Sequence, residues 1–564
     1  MRGLLMCGVA AATIMIGPSA VADATTDRAV LDLIERPRSC GPAGEDPQGA
    51  PVAEMVMVEG FGTGGFKVDT ANPEAQAWFN HGVRLRWAFE HGESVRAFRK
   101  ARMLDPDCGM CAWGEAWAMG PNLNGGGGGE ETQREALKAA RDARRLARGA
   151  TAMQRQMIDA LVQRYSGRES SRANRFATAM DRIARRNPAD VTVAAITADA
   201  WMLKADRWWD DEGKAADPGI VRAMEILEQT LAAAPDDPGA IHLYIHLTEW
   251  SDDPHKAIPY GEQLAALAPG ASHLVHMPSH TFYRVGRYKD AMMSNVAAVA
   301  LDRRYDALAR PPGGVPGMPL HGHNIHFGMG GALMAGGDVE GLKLADWFLE
   351  TYPEIPVENP WRQLMANDAY AIYGRFGTQA QVAELKEPSE SRPLLRASWR
   401  YARGEAAARA GDADKVRAEA AAIAALILTP GLAGDDAKGR RGFMELSQRI
   451  LEGRAAMIAG DGAAAVAAFT RAAEIQAEED EGGDPPVIWY PTRRSLAAAM
   501  LASGDAAGAR AKVLELLEDW PSDPYSYFVL AQAESALGNA AAAAEAERRS
   551  RVEWVGGAMS LKLA

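Results

Sequence analysis

Histidines that could bind a metal ion are concentrated in one stretch of the sequence. Nine of the eleven histidines fall between His242 and His326. His242 and His246 are four residues apart, as are His276 and His280, and the second pair follows the first after 34 residues. Residues i and i+4 share one face of a helix, and neutral imidazole nitrogens bind Zn, Cu and Fe. Two neighbouring helices could therefore supply four ligands to one transition-metal ion.

The 34-residue spacing also predicts the scaffold, because it is the period of stacked two-helix repeats. One clear unit begins at Ala75, with small, aromatic and proline residues at regular places. Positions 4, 8, 20, 24, 27 and 32 of this unit hold Trp78, Gly82, Ser94, Phe98, Ala101 and Pro106. The pattern resembles the tetratricopeptide repeat (TPR). Two further copies begin at Pro238 and Ser272, and others near the C-terminus contain Gly460, Gly504 and Gly538.

The resemblance covers most of the chain from about residue 75. It implies an all-α, TPR-like solenoid of stacked antiparallel helix pairs with inserted loops. Four segments carry a closer resemblance to a family of exported bacterial TPR proteins that has no assigned reaction. These segments are Cys108–Ala116, Ile241–His246, His276–Arg284 and Trp489–Arg494. The resemblance therefore implies a fold and does not identify a substrate.

The predicted organisation has five parts. Residues 1–22 form a signal peptide and residues 23–70 an N-terminal extension without a helical period. Residues 71–237 hold TPR-like repeats with Gly-rich and Trp-rich insertions, residues 238–335 the His-rich central repeats, and residues 336–564 further TPR-like repeats. The central part is the predicted site because it contains both histidine pairs.

The first residues predict export. Met1-Arg2 precedes an apolar run that ends near Gly17 and is too short to span a membrane, and Ala20-Val21-Ala22 matches a cleavage site. We expect cleavage after Ala22 and a periplasmic or extracellular protein without a membrane span. The net charge of −13 argues against a nucleic-acid partner, which usually requires a basic face.

The TPR resemblance also implies the direction of the histidine side chains. The first helix of each TPR lines the concave groove, with repeat positions 2, 5, 9 and 12 facing it. In the two central repeats these positions hold Gly239, His242, His246 and Glu249, then His273, His276, His280 and Tyr283. Pro278, between the second pair, is expected to kink that helix or delay its start.

A predicted metal site follows from this register. Its ligands are His242, His246, His273, His276 and His280, with His326 added from the next helical stretch. His323, in the same stretch, could supply another ligand or a hydrogen bond to one. Glu249 is predicted to act as an acid–base catalyst on metal-bound water or as a further ligand. The nitrogen-rich set suits Cu or Zn, and a carboxylate ligand would also suit Fe.

Three cysteines remain after the predicted cleavage. Cys108 and Cys111 are three residues apart and Cys40 lies in the extension. In an oxidising compartment a structural disulfide is expected, either between Cys108 and Cys111 or from one of them to Cys40.

Aromatic residues outside the repeat pattern are candidates for contacts with a ligand. The groove candidates are Trp208, Trp209, Tyr283, Trp489, Tyr490 and Arg493. The loop tryptophans could equally anchor their loops to the array, and an arginine could bind a carboxylate or phosphate.

Three functions remain open at the level of sequence. The first is a metalloprotein or metalloenzyme that activates water or oxygen on a small or peptidic substrate. The second is a groove that binds a peptide or protein without metal, a common role for TPR folds. The third is a periplasmic metal carrier.

Overall fold

The computed structural model describes residues 49–124, 129–353, 355, 359–429, 432, 437–479 and 488–564. All of them belong to one structural unit, Glu45–Ala564. The predicted signal peptide, Cys40 and most of the glycine run at 125–129 lie outside the described residues.

The described residues form 26 α-helices and no β-strand. In the first half these are α1 Pro73–Trp87, α2 His91–Leu104, α3 Gly109–Ala118, α4 Glu130–Leu146, α5 Ala152–Tyr165, α6 Arg172–Arg186, α7 Val191–Lys204, α8 Pro218–Ala233, α9 Pro238–Thr248, α10 Ile258–Leu267, α11 Ser272–His276, α12 Pro278–Arg284 and α13 Tyr288–Ala309. In the second half they are α14 Gly314–Gly317, α15 His321–Ala335, α16 Asp338–Thr351, α17 Pro360–Phe376, α18 Gln379–Glu384, α19 Pro393–Arg409, α20 Ala413–Ile427, α21 Lys438–Ala459, α22 Gly462–Glu479, α23 Arg493–Ala502, α24 Ala506–Asp519, α25 Pro524–Ala536 and α26 Ala540–Ser550.

Short turns join consecutive helices into antiparallel pairs, and each helix packs mainly on its neighbours in the chain. This arrangement is the predicted all-α, TPR-like helical repeat solenoid. No helix in the described ranges combines the length and the apolar character that crossing a bilayer requires.

An acidic or amide residue followed by proline starts several of these helices. Asn72, Asp217, Asp237 and Asp523 each precede a proline and accept a hydrogen bond from a backbone amide of the first turn. The side chain satisfies a free N–H group of the helix end, and proline has no N–H to satisfy. The sequence thus fixes where these helices begin.

Glycines bring the paired helices into contact. The Phe98 ring of α2 lies between Gly82 of α1 and Gly114 of α3. A Cβ atom on Gly82 would lie 2.9 Å from this ring, and one on Gly114 would collide with it. The same contact recurs between Gly453 and Phe469 in α21 and α22. In both places, therefore, a phenylalanine ring packs directly against helix backbone at a glycine.

Two non-helical segments tie distant repeats together. Before α1, Ala50 donates a backbone hydrogen bond to Arg310 (2.9 Å) and Gly60 accepts one from Gly270 (2.7 Å). After α26, Val555 donates to the carbonyl of Ala335 at the end of α15 (2.8 Å). The central repeats therefore contact both the first and the last parts of the described chain.

Candidate metal centre

Four helices place the central histidines. His242 and His246 lie one turn apart on α9, and the next repeat is divided at Met277 into α11 and α12. Pro278 begins α12, so the expected interruption of this helix is present. α15 packs on α13 and brings His323 to the same region. Residues from three consecutive repeats therefore meet at one place.

Three imidazoles converge closely in what we call the His276 set, namely His276, His280 and His323. The Nε2 atom of His276 lies 2.9 Å from that of His280 and 3.1 Å from that of His323. One potential ligand atom from each residue lies within 4.8 Å of the others. Two nitrogens that bind one ion, each about 2 Å away, are about 3 Å apart. The spacing in this set therefore fits ligands around a single ion.

A second trio lies beside the first, and we call it the His242 set: His242, His246 and His273. One ligand atom from each of these residues also lies within 4.8 Å of the others. The ring centres of His246 and His280 are 5.2 Å apart, as are those of His273 and His276. The two sets are therefore adjacent.

Acceptor groups orient two of the rings in the His276 set. The Nδ1 atom of His276 lies 2.6 Å from Oδ1 of Asn295, whose amide nitrogen donates to Ala291. The Nδ1 atom of His280 lies 2.5 Å from Oε2 of Glu249. Because the Asn295 oxygen accepts, the Nδ1 atom of His276 carries the proton, and its Nε2 lone pair points at Nε2 of His280. Such a contact is repulsive unless a proton or a cation lies between the two nitrogens.

The His242 set is oriented in the same way. His242 donates through Nδ1 to the carbonyl oxygen of Trp87 (2.5 Å), and Nδ1 of His246 lies 3.2 Å from Oε1 of Glu249. Metal-binding histidines usually donate their second ring N–H to a carboxylate or carbonyl group, which fixes the tautomer. His242, His246 and His276 follow this pattern.

Burial keeps four of the clustered imidazoles neutral. Burial is the largest cause that lowers the pKa values of His242, His273, His276 and His323 well below the usual value, and neighbouring imidazoles lower them further. Burial alone would raise the pKa of Glu249, but attraction to His280 and hydrogen bonds from His246 and His280 lower it overall. The centre therefore combines one carboxylate with four neutral imidazoles, and the neutral imidazole is the form that binds metal.

Phe89 covers the His242 set, and its role is not evident from the sequence. It is buried and has a positive φ angle of 56°, which is rare for a bulky residue. Its ring stacks on His246 (5.5 Å) and His273 (5.2 Å) and tilts against His242 (4.2 Å). Strained backbone of this kind is often found at functional sites.

The histidines are buried, whereas the sequence predicted that they line an open groove. The five ligands predicted from the two central repeats are at most 6% exposed. The reason is tertiary: Trp87 and Phe89 of the first repeat pack on α9, and α15 packs on the other side. From the repeat register these side chains were expected together on neighbouring helices, which is where they lie. The register did not indicate which residues cover them.

His326 does not lie in either histidine set. Its Nε2 atom lies 3.3 Å from the buried carboxylate of Asp368 on α17, and His323 is the residue of α15 that meets His276. The sequence predicted His326 as the ligand from this helix, whereas the packing of α15 places His326 against α17 and His323 beside His276. His321 also lies apart, with Nδ1 2.8 Å from Asp302.

The structure joins Cys108 and Cys111 by a disulfide bond at the start of α3. Cys40 lies outside the described residues.

The predicted groove residues are in three different places. Tyr283, Trp489 and Tyr490 are buried where α12 meets the C-terminal repeats, with the Tyr283 hydroxyl 3.5 Å from the carbonyl of Trp489. Arg493 pairs with exposed acidic residues on the surface. Trp208 donates to the carbonyl of Met202 (3.0 Å), and both Trp208 and Trp209 pack on the core. These two tryptophans therefore anchor their loop.

No protein-family model matches the chain, and no curated protein matches it. Among solved structures, human IFIT1 with m7Gppp-AAAA has 13% identity and a TM-score of 0.32 and covers 85% of this chain and 94% of its own. The APC/C hetero-tetramer Cut9-Hcn1 has 11% identity and a TM-score of 0.25, and the match covers 81% of this chain and 76% of that one. Yeast Tom70 has 11% identity and a TM-score of 0.24, and the match covers 83% of this chain and 90% of that one. Likeness at this level assigns neither a family nor a ligand.

Proposed function

We propose that this protein is an exported metalloprotein whose His276 set binds a transition-metal ion. The observation that carries the proposal is the convergence of three buried imidazoles: the Nε2 atoms of His280 and His323 lie 2.9 Å and 3.1 Å from that of His276, whose Nδ1 atom donates to Asn295. A cation bound between these nitrogens would replace the proton that otherwise joins the two rings, with the third imidazole, His323, as a further ligand. The nitrogen-only set favours Zn²⁺ or Cu²⁺, and Fe²⁺ is the next candidate because Glu249 is adjacent.

The burial of the site favours a resident ion over an exchangeable cargo. Three protein nitrogens leave a coordination position for water or oxygen, and activation of such a molecule is the chemistry that a metal supplies there. Glu249 contacts the Nδ1 atoms of two histidines through its two oxygens. In this proposal its main role is therefore to orient the ligands, and accepting protons is a secondary role. Slow exchange of the bound ion against a labelled isotope of the same metal would favour an enzyme over a carrier.

Metal analysis of the untagged protein tests this proposal. We expect at least one equivalent of Zn, Cu or Fe after purification without added metal, and one equivalent less in the double variant His276→Asn, His323→Asn. The matched control is His255→Asn, because His255 is exposed and lies outside both sets. A protein that retains no metal and takes up none of the three ions would overturn the proposal.

Export is part of the proposal and has a separate test. The pattern of residues 1–22 and the disulfide between Cys108 and Cys111 both favour an oxidising compartment. The mature N-terminus, determined by mass spectrometry from the periplasmic fraction, is expected at Asp23.

A second candidate function is peptide binding by the C-terminal repeats, and one contact favours it. The backbone oxygens of the last three residues accept hydrogen bonds from buried arginines: Arg454 donates to Ala564 (2.5 Å) and Lys562 (3.3 Å), and Arg375 donates to Leu563 (2.8 Å). Ser495 also donates to Ala564. The repeats therefore hold a short peptide segment, of which Leu561–Leu563 forms a 3-10 helix, through its backbone oxygens.

A labelled peptide tests this second function. A peptide with the sequence of residues 555–564 should bind to a chain that ends at Gly557, measured by fluorescence anisotropy, because the arginines are then available. Arg454→Gln should weaken binding at least tenfold, since each hydrogen bond to a charged group contributes about 1.5–3 kcal/mol. Arg493→Gln is the control, because Arg493 lies on the surface. Equal binding by both variants would contradict a peptide site at Arg454.

A further inference from the structure

The histidines of the His242 set have buried nitrogen atoms without hydrogen-bond partners. Nε2 of His242 and both ring nitrogens of His273 have none among the described residues. Both side chains are fully buried. A buried polar atom without a partner costs about 1–3 kcal/mol, so such atoms in a native fold require an explanation. The protein places two such histidines beside a third, His246, with one ligand atom from each within 4.8 Å.

The tautomers of these histidines also favour a bound cation. Nδ1 of His242 donates to the Trp87 carbonyl and Nδ1 of His246 faces the Glu249 carboxylate, so each presents Nε2 as the remaining ligand atom. His273 can use either nitrogen. The His242 set is therefore arranged to bind a cation through three neutral nitrogens, as the His276 set is.

The two sets share no histidine, and one carboxylate connects them. Oε1 of Glu249 faces His246 of the first set and Oε2 faces His280 of the second. The rings of the two sets come within 5.2 Å of each other at two places. Two cations held there would be neighbours, and the negative charge of Glu249 would offset part of their mutual repulsion.

We infer that this chain holds a dinuclear metal centre, with one ion on His242, His246 and His273 and a second on His276, His280 and His323. This inference rests on the proposed function, because it assumes the ion at the His276 set and adds another at the His242 set. Paired ions on nitrogen ligands can bind one small molecule, such as hydroxide or dioxygen, from both sides. The ligand class that follows is a small oxygen donor that bridges two metals.

Metal stoichiometry tests the inference. Metal-free full-length protein is titrated with Zn²⁺ alone, and bound metal is counted after gel filtration. We expect two equivalents for the native chain, one for His242→Gln, His273→Gln and one for His276→Gln, His323→Gln. His81→Gln is the control, because His81 is buried outside both sets, and it should retain two.

The results separate this inference from the proposed function. One equivalent in the native chain, kept by the His242, His273 double variant, would overturn the dinuclear centre and leave the single site intact. No metal bound to the native chain with Zn²⁺, Cu²⁺ or Fe²⁺ would overturn both.

A measurement on the native chain alone covers the case in which a double variant does not fold. Electron paramagnetic resonance of the Cu²⁺-loaded protein should show a full signal per copper at one equivalent. At two equivalents the signal per copper should fall by half or more, because neighbouring Cu²⁺ ions couple magnetically. A signal that grows in proportion up to two equivalents would place the ions apart and contradict the inference.

Discussion

At the scale of single residues, hydrogen-bond acceptors decide what each histidine can do. A histidine whose Nδ1 donates to a carbonyl or carboxylate group has one lone pair left, on Nε2. Trp87, Glu249 and Asn295 impose this state on three imidazoles, those of His242, His246 and His276. The acceptors are therefore as much a part of the centre as the ligands that they orient.

The substitution Glu249→Gln should weaken metal binding by about 10–100-fold while the fold persists. The amide replaces a carboxylate that accepts from two rings, so one of His246 and His280 loses its orientation. A competition titration with a chromogenic chelator measures the change. Glu262→Gln is the control, since Glu262 pairs with Arg287 on the surface of the adjacent α10. Equal affinities for both variants would show that Glu249 does not orient the ligands.

At the scale of helices, the contact of an aromatic ring with glycine sets how closely a pair packs. Phe98 of α2 touches the backbone of α1 at Gly82 and of α3 at Gly114, because neither glycine has a side chain. The proximity of α1 also matters for the site, since Trp87 ends this helix and Phe89 follows it. Packing of the first repeat therefore determines the cover of the His242 set.

Gly114→Ala should destabilise the protein by about 1–3 kcal/mol, because the added methyl group collides with Phe98 in a filled core. Chemical denaturation followed by circular dichroism measures the change. Gly92→Ala in α2 is the matched control: nothing lies within 4 Å of its Cβ position, so it should be neutral or stabilise by up to about 1 kcal/mol. Equal destabilisation by the two variants would show that the contact with Phe98 is not the cause.

At the scale of the whole molecule, buried neutral histidines make the fold sensitive to acid. Burial, with a smaller contribution from Arg84, lowers the pKa of His81 to about 3. The ordinary value of about 6.5 applies in the unfolded chain. Between these two values the unfolded state binds a proton that the folded state does not, so stability falls as the pH falls below about 6.5.

His81→Phe should therefore reduce the loss of stability between pH 7.5 and pH 5 by about 2 kcal/mol, which is 1.5 pH units at 1.36 kcal/mol each. The ring of phenylalanine fits the aromatic surroundings of Phe61 and Trp78. Denaturation at both pH values in the presence of a chelator isolates this effect from metal binding. His255→Ala, at an exposed histidine, should leave the loss unchanged. An unchanged loss in His81→Phe would show that His81 is protonated in the folded state.

The sequence alone determined the helical repeat fold, because the small, aromatic and proline residues recur at the intervals that helix pairs require. It also placed His242, His246, His276 and His280 on neighbouring helices, since the i,i+4 and 34-residue spacings are local geometry. Local geometry cannot show which distant parts of the chain meet.

Only the tertiary structure chose His323 over His326, because the rotation of α15 depends on its packing against α13 and α17. Phe89, from the first repeat, likewise reaches the centre through contacts across more than 150 residues. Repeat spacing therefore determined the ligands within each helix pair. Packing between repeats decided their partners, their burial and their division into two sets.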